Sequence, residues 1–232
     1  MRMHIRRAAD RGQGDHGWLQ SQHSFSFAGY YDPQYMGFGH LRVINQDVVA
    51  PGRGFGTHPH RDMEIISYVV DGALEHKDTI GTGSVIRPGE VQLMSAGRGI
   101  AHSEYNHSGD DTVQFLQIWI LPRESGGDPG YQQRAFPKEE GGALRRVVSP
   151  DGADGTLSIK QDMDLYRLLL AEGEATTHRP ARDRVWVQVV HGTLDVAGAR
   201  LFPGDGLAIV EAKDLAMTAH EGDVEALVFD LA

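Results

Sequence analysis

Short runs of apolar, mostly β-branched residues alternate with glycine, proline and aspartate turns along the whole chain. The clearest are Leu41–Ile44, Glu64–Val70, Val113–Ile120, Val185–Val190 and Ala226–Phe229. Runs this short, bounded by turn residues, predict strands and an all-β sandwich or barrel. No long stretch has the 3.6-residue period of an amphipathic helix; one short helix is expected over Tyr131 to Glu140. The proline- and glycine-rich stretch Pro122 to Gly130 reads as a linker. It suggests two domains, residues 1–125 and 126–232. A weak internal repeat agrees. Thr57-His58 precedes Val69-Val70, Gly72 and Leu74 at the spacing by which Thr177-His178 precedes Val189-Val190, Gly192 and Leu194. Pro88-Gly89-Glu90 matches Pro203-Gly204-Asp205 if the second copy has a shorter hairpin. Two copies of one β unit are the economical reading.

Composition narrows the function. The 232 residues are enough for one large or two ordinary domains, each with a real core. With 22 Lys and Arg against 32 Asp and Glu, the formal net charge is -10. Such a chain repels nucleic acid and anionic membranes, and no basic run relieves this locally. The chain has no cysteine, which excludes disulfides, thiolate metal sites and cysteine nucleophiles. No apolar stretch is long enough for a membrane-spanning helix. No signal-peptide core follows the basic start, so the expected location is the cytoplasm.

The candidate chemistry lies in the first copy. His58 and His60 are separated by one residue, so on an extended chain they point to the same face. His102 and Glu104 repeat that spacing about forty residues later. If the two strands are neighbours, three imidazoles and a carboxylate converge. Such a set suits a borderline divalent ion and leaves coordination positions open for substrate or O2. In the second copy His60 aligns with Pro180, His102 with Met217 and Glu104 with Ala219, leaving only His178, which aligns with His58. That barrel is expected to be metal-free. The aromatic cluster from Phe25 to Phe38 is expected to be packing, and Phe55 is a candidate pocket wall. His40, His76, His107, His191 and His220 lack a partner at ligand spacing and are expected at the surface or in hydrogen bonds. Asp110-Asp111 and Glu139-Glu140 read as solvated turns.

Gly52, His58, His60, Glu64 and Gly72, followed by Gly99, His102 and Asn106, match the two cupin motifs. More narrowly, His23-Ser24-Phe25-Ser26-Phe27, Met36-Gly37-Phe38-Gly39, His58-Pro59-His60-Arg61, Ala96-Gly97-Arg98-Gly99-Ile100 and His102-Ser103-Glu104 resemble the pirin family over the whole length. The resemblance implies two cupin barrels (double-stranded β-helix, or jelly roll) in one chain. It also implies one metal on His58, His60, His102 and Glu104, with Glu64 outside the ligand set. Fe(II) is the expected ion, with Ni, Cu, Mn, Co or Zn as alternatives. The activity it implies is dioxygenase cleavage of the heterocycle of a flavonol such as quercetin, or of another enolic compound, with O2. Glu104 would be both ligand and general base. The alternative function is a metal-dependent regulatory protein that binds a transcription factor or metabolic enzyme.

Overall fold

The structure is a computed structural model that describes all of the 232 residues except 139–141. Strands follow one another as β1 (Arg2–Arg6), β2 (Gly12–Asp15), β3 (Leu19–His23), β4 (Leu41–Val49), β5 (Gly54–His60), β6 (Glu64–Asp71), β7 (Leu74–Asp78), β8 (Gly83–Ile86), β9 (Glu90–Ser95), β10 (Ile100–Asn106), β11 (Val113–Ile120) and β12 (Gly130–Ala135). The second half carries β13 (Leu144–Ser149), β14 (Leu157–Ser158), β15 (Met163–Leu170), β16 (Ala175–His178), β17 (Arg184–Val196), β18 (Ala199–Leu201), β19 (Gly206–Val210) and β20 (Leu215–Leu231). Two single-turn 3-10 helices, Ala8–Asp10 and Ala153–Gly155, are the helical elements among the described residues. No helix of the described residues is long and apolar enough to cross a membrane.

The described residues form two compact units. The first, Gly12–Phe136 with Ile159–Gln161, pairs a 7-stranded sheet in the order β12-β9-β6-β11-β4-β3-β2 with a 4-stranded sheet in the order β5-β10-β7-β8. β6 and β11 lie inside the larger sheet, and Ile65, Ile66, Val69, Phe115, Leu116 and Ile118 along them are buried. Burial on both faces explains why these strands are continuous apolar runs rather than alternating ones. Leu19, Val49, Val69, Val113 and Phe115 from the larger sheet share one core cluster with Leu74 and Ile86 from the smaller, so the two sheets close face to face.

The second unit contains Met1–Arg11, Pro137–Ser158 and Asp162–Ala232. Its 9-stranded sheet follows the path β1-β19-β17-β20-β15-β13-β14, with β16 paired to β20 and β18 to β17. Val185, Val187, Leu207, Ile209, Leu215 and Met217 are part of its apolar interior.

Two expectations need correcting. A single cut at 125/126 is not where the units divide. The segment after Pro122 returns to the first unit, where Gly126 N–H donates to Asp62 at 2.6 Å and Arg98 N–H donates to the Gly127 carbonyl at 2.7 Å. The N-terminal strand β1 joins the second unit by pairing with β19. Nor do the described residues from Tyr131 onward form the expected helix. Residues 130–135 form β12, antiparallel to β9. An open sheet edge offers six residues of backbone pairing, which outweighs a weak helix propensity. Glu139 and Glu140, expected from the sequence as a solvated turn, lie outside the described residues.

The internal repeat has a physical basis. Gly72 and Gly192 both have positive φ, 79° and 73°, and a side chain on either would meet the backbone of a neighbouring strand, at Thr112 or Asp223. Only glycine fits such a position. The Pro-Gly turns also match: Glu90 N–H donates to the Arg87 carbonyl at 3.0 Å, and Asp205 N–H to the Phe202 carbonyl at 2.9 Å. In each copy the acid returns the bond, Glu90 to Arg87 N–H and Asp205 to Phe202 N–H.

Candidate metal centre

β10 lies between β5 and β7, antiparallel to both. His102 faces His58 directly, Ile100 faces His60, and an irregularity between His102 and Glu104 places Glu104 opposite Phe55. The strands expected to be neighbours therefore are. One nitrogen from each of His58, His60 and His102 lies within 4.8 Å of the others. His60 Nε2 and His102 Nε2 are 3.0 Å apart. Two nitrogens bound to one ion at right angles, with bonds of about 2.1 Å, are separated by about 3.0 Å. The donor set and its spacing thus fit a divalent ion.

The surroundings fix which nitrogen each ring presents. His58 Nδ1 donates to the Gly56 carbonyl at 2.8 Å, leaving Nε2 with its lone pair. Behind His102 stands His76, whose Nε2 donates to Asp78 Oδ2 at 3.0 Å. His76 Nδ1 is then an acceptor for His102 Nδ1, 3.4 Å away, so the His102 Nε2 lone pair faces the other rings. Carboxylate–imidazole contacts of this kind orient metal-binding histidines. Burial opposes charge on Asp78, but His76 and the backbone N–H groups of Thr82 and Ile80 outweigh it and hold its carboxyl below the usual range. Burial, reinforced by the neighbouring imidazoles, lowers His60 to about 4 and His102 to about 3, so both are neutral at physiological pH.

Glu104 sits beside this triad, with Oε2 3.9 Å from His102 Nε2. It is buried and held from the opposite sheet: Gln117 Nε2 donates to Oε1 at 3.1 Å and to Oε2 at 2.9 Å, and Ser67 Oγ, 3.3 Å from Oε1, donates to Gln117 Oε1 at 3.0 Å and so fixes the Gln117 amide. A carboxylate has about four lone-pair positions, so capacity remains for an ion or a proton. Gln117 and Ser67 belong to a polar row across the larger sheet. In register, His23 faces Asn45, Asn45 faces Gln117, Gln117 faces Ser67, and Ser67 faces Gln92.

His58, Glu104 and Gln117 open onto a cavity of about 220 Å³. Phe27, Phe55 and Trp119 supply its apolar lining, and Ser21, His23, Asn45 and Asp47 a polar one. Trp119 stands edge-on to His60 with ring centres 5.1 Å apart, and Phe27 edge-on to Trp119 at 5.3 Å. Phe55 is a pocket wall, as its position beside the histidine strand suggested. Phe27 departs from the packing expected of its cluster, whereas Phe25 is fully buried. Burial pushes the Asp47 carboxyl up to about 7, against the lowering effect of a hydrogen bond from Ser21. Glu64 is buried and accepts from Ser95 Oγ at 2.8 Å.

In the second unit, His178 faces Leu215 across β16 and β20, and Met217 and Ala219 are buried in the apolar core. Strand register shifts the match: His102 is the residue opposite His58, and the residue opposite His178 is Leu215, two positions before the aligned Met217, so an apolar side chain stands there as well.

Sequence reasoning missed His76, Asp78, Ser67, Gln117 and the Asp47 wall. The available signal was a polar residue inside an apolar strand run, often paired at i and i+2, as in His76-Lys77-Asp78 and Asn45-Gln46-Asp47.

Two β-barrel units, with the histidine triad set in the first, define a bicupin. Residues 4–120 match the Pirin family model, and residues 146–231 match the Quercetinase C-terminal cupin domain. The chain is 49% identical over 230 residues to the quercetin 2,3-dioxygenase of Escherichia coli K12, covering 99% of this chain and 98% of that one. It is 44% identical to a pirin-like protein of Caulobacter vibrioides, covering 95% and 96%. The crystal structure of Escherichia coli YhhW superposes with a TM-score of 0.95 at 48% identity, covering 100% of this chain and 98% of that one. A second, of bacterial pirin YhhW in complex with nickel(II), gives 0.94 at 48% identity and 99% coverage of each chain. The chain belongs to the pirin family.

Proposed function

We propose that the N-terminal barrel is a metal-dependent dioxygenase centre that opens the heterocycle of a flavonol such as quercetin with O2, releasing carbon monoxide. His58, His60, His102 and Glu104 would hold the ion, and the C-terminal barrel would be a metal-free companion. The observation that carries this is the convergence of three imidazole nitrogens, one of them from His58, which together with the buried carboxylate of Glu104 lines a cavity with aromatic walls. The relatives named quercetin 2,3-dioxygenase support the substrate class, and the nickel(II) complex of YhhW supports a divalent ion. Fe(II) and Ni(II) are the leading candidates.

A bound divalent ion supplies Lewis acidity toward the enolic oxygens and a meeting place for substrate and O2. The protein's own part starts with orientation. His58 is fixed by Gly56, and His102 by His76 and Asp78, so the rings present Nε2 without rearrangement. Glu104 takes the proton of the flavonol 3-hydroxyl onto a carboxylate oxygen. Gln117 and Ser67 keep that carboxylate in place while its charge changes. Phe27, Phe55 and Trp119 exclude water from the reacting ring. The test is to mix quercetin with protein reloaded separately with Fe(II) and Ni(II). Loss of the flavonol absorbance band in air, and its persistence without O2, is expected. Persistence with every fully loaded metal overturns the reading.

A further inference from the structure

The wall that the larger sheet contributes to the cavity is not explained by holding a metal. Ser21 faces Asp47 and His23 faces Asn45 across β3 and β4, and all four side chains line the cavity. Asp47 is 4% exposed and Asn45 2%. Ser21 Oγ donates to Asp47 Oδ1, and His23 Nδ1 donates to Asn45 Oδ1 at 2.8 Å. These are the side-chain hydrogen bonds of Asp47 and Asn45 among the described residues. Asp47 Oδ2 and Asn45 Nδ2 are left over, one an acceptor and one a donor, two residues apart on the same face of one strand. Neither atom is sealed away from solvent, so both are open to a ligand in the cavity. Ser21 and His23 pin Oδ1 of each side chain, so the leftover Asp47 Oδ2 and Asn45 Nδ2 are preoriented.

We propose that Asp47 and Asn45 form a second recognition point for the substrate. Asp47 Oδ2 accepts a phenolic hydroxyl, and Asn45 Nδ2 donates to an adjacent ring oxygen. The substrate class is therefore an enolic aromatic with further hydroxyl groups, rather than any ring bearing the enol alone. This rests on the flavonol reading above. The histidine end of the cavity engages the enol that all flavonols share, and the Asp47–Asn45 wall discriminates among them.

The test is equilibrium titration of the nickel(II)-loaded protein with quercetin and with 3-hydroxyflavone, which keeps the enolic hydroxyl and lacks the others, under exclusion of O2. Wild type is expected to bind quercetin more tightly. Asp47→Asn, which keeps an acceptor for Ser21 and replaces Oδ2 by a donor, should weaken quercetin about tenfold. It should leave 3-hydroxyflavone and nickel content unchanged. If Asp47→Asn does not fold, Asn45→Asp, which keeps the acceptor for His23 and removes the donor, should narrow the same preference. Equal weakening of both flavonols, or unchanged quercetin binding in the folded variant, overturns the subsite. Wild type that binds neither flavonol overturns the dioxygenase reading and the subsite with it.

Discussion

At the scale of single residues, the most informative side chain is Glu104. Its carboxylate stands 3.9 Å from His102 of the imidazole triad and is gripped by Gln117. Glu104→Gln retains an amide oxygen that can coordinate but no group that can take the substrate proton. Turnover per bound metal at saturating flavonol should fall on the order of a hundredfold to ten-thousandfold. A normalised rate within a few-fold of wild type would leave Glu104 a ligand only. His60 carries a prediction about pH. Its folded value, about 4, lies below the unfolded value of about 6.5. As pH falls through 6.5 the unfolded chain gains a proton that the folded metal-free protein refuses until near 4. The stability His60 permits is thus full above about pH 6.5 and lost progressively toward 4. Asp47 and Glu64, raised by burial, change stability in the opposite direction on acidification, so the contrast must be with a variant. Between pH 7 and pH 5 the urea midpoint of metal-free wild type should fall further than that of His60→Gln. Parallel shifts would sink the assignment.

At the scale of strands, β10 organises the site because it has a neighbour on each side. β5 brings His58 and His60, and β7 brings the His76–Asp78 pair that backs His102. Asp78→Asn should loosen the His102 ring and reduce metal affinity about 10- to 100-fold, as read by competition with a chromogenic chelator. Unchanged affinity would mean that β7 only packs. The legible and illegible parts of the sequence separate at this scale. A strand's period of two made the His58/His60 and His102/Glu104 pairs readable, and turn glycines made the repeat readable. Which strands lie side by side is set by tertiary pairing between distant segments. His76 therefore looked isolated until β7 was found against β10. Residues 130–135 looked helical because propensity says nothing of the open edge of β9 that captures them. Ser67 and Gln117 were hidden within apolar runs whose composition otherwise announced only burial.

At the scale of the whole chain, two copies of one β unit have diverged in chemistry while keeping their turns. Gly72 and Gly192 meet the same backbone constraint, and Glu90 and Asp205 close the same Pro-Gly turn. Opposite His178, where His102 stands opposite His58, the second copy has Leu215, and Met217 and Ala219 beyond it are buried in an apolar core. Elemental analysis of reloaded protein should accordingly give one tightly held ion per chain. His178→Ala should leave that number unchanged and His60→Ala should abolish it; two ions per chain would contradict the divergence. The polar row beneath Glu104 has a bearing on folding as well. Side chains alternate between faces, so a strand that pairs one residue out of step turns all its inward groups outward. A slip of β11 would turn Gln117 away from Asn45, Ser67 and Glu104 together and bury an apolar neighbour against them. The residues that hold the carboxylate for chemistry thereby serve as a registration mark, making misaligned sheets costly while the barrel assembles.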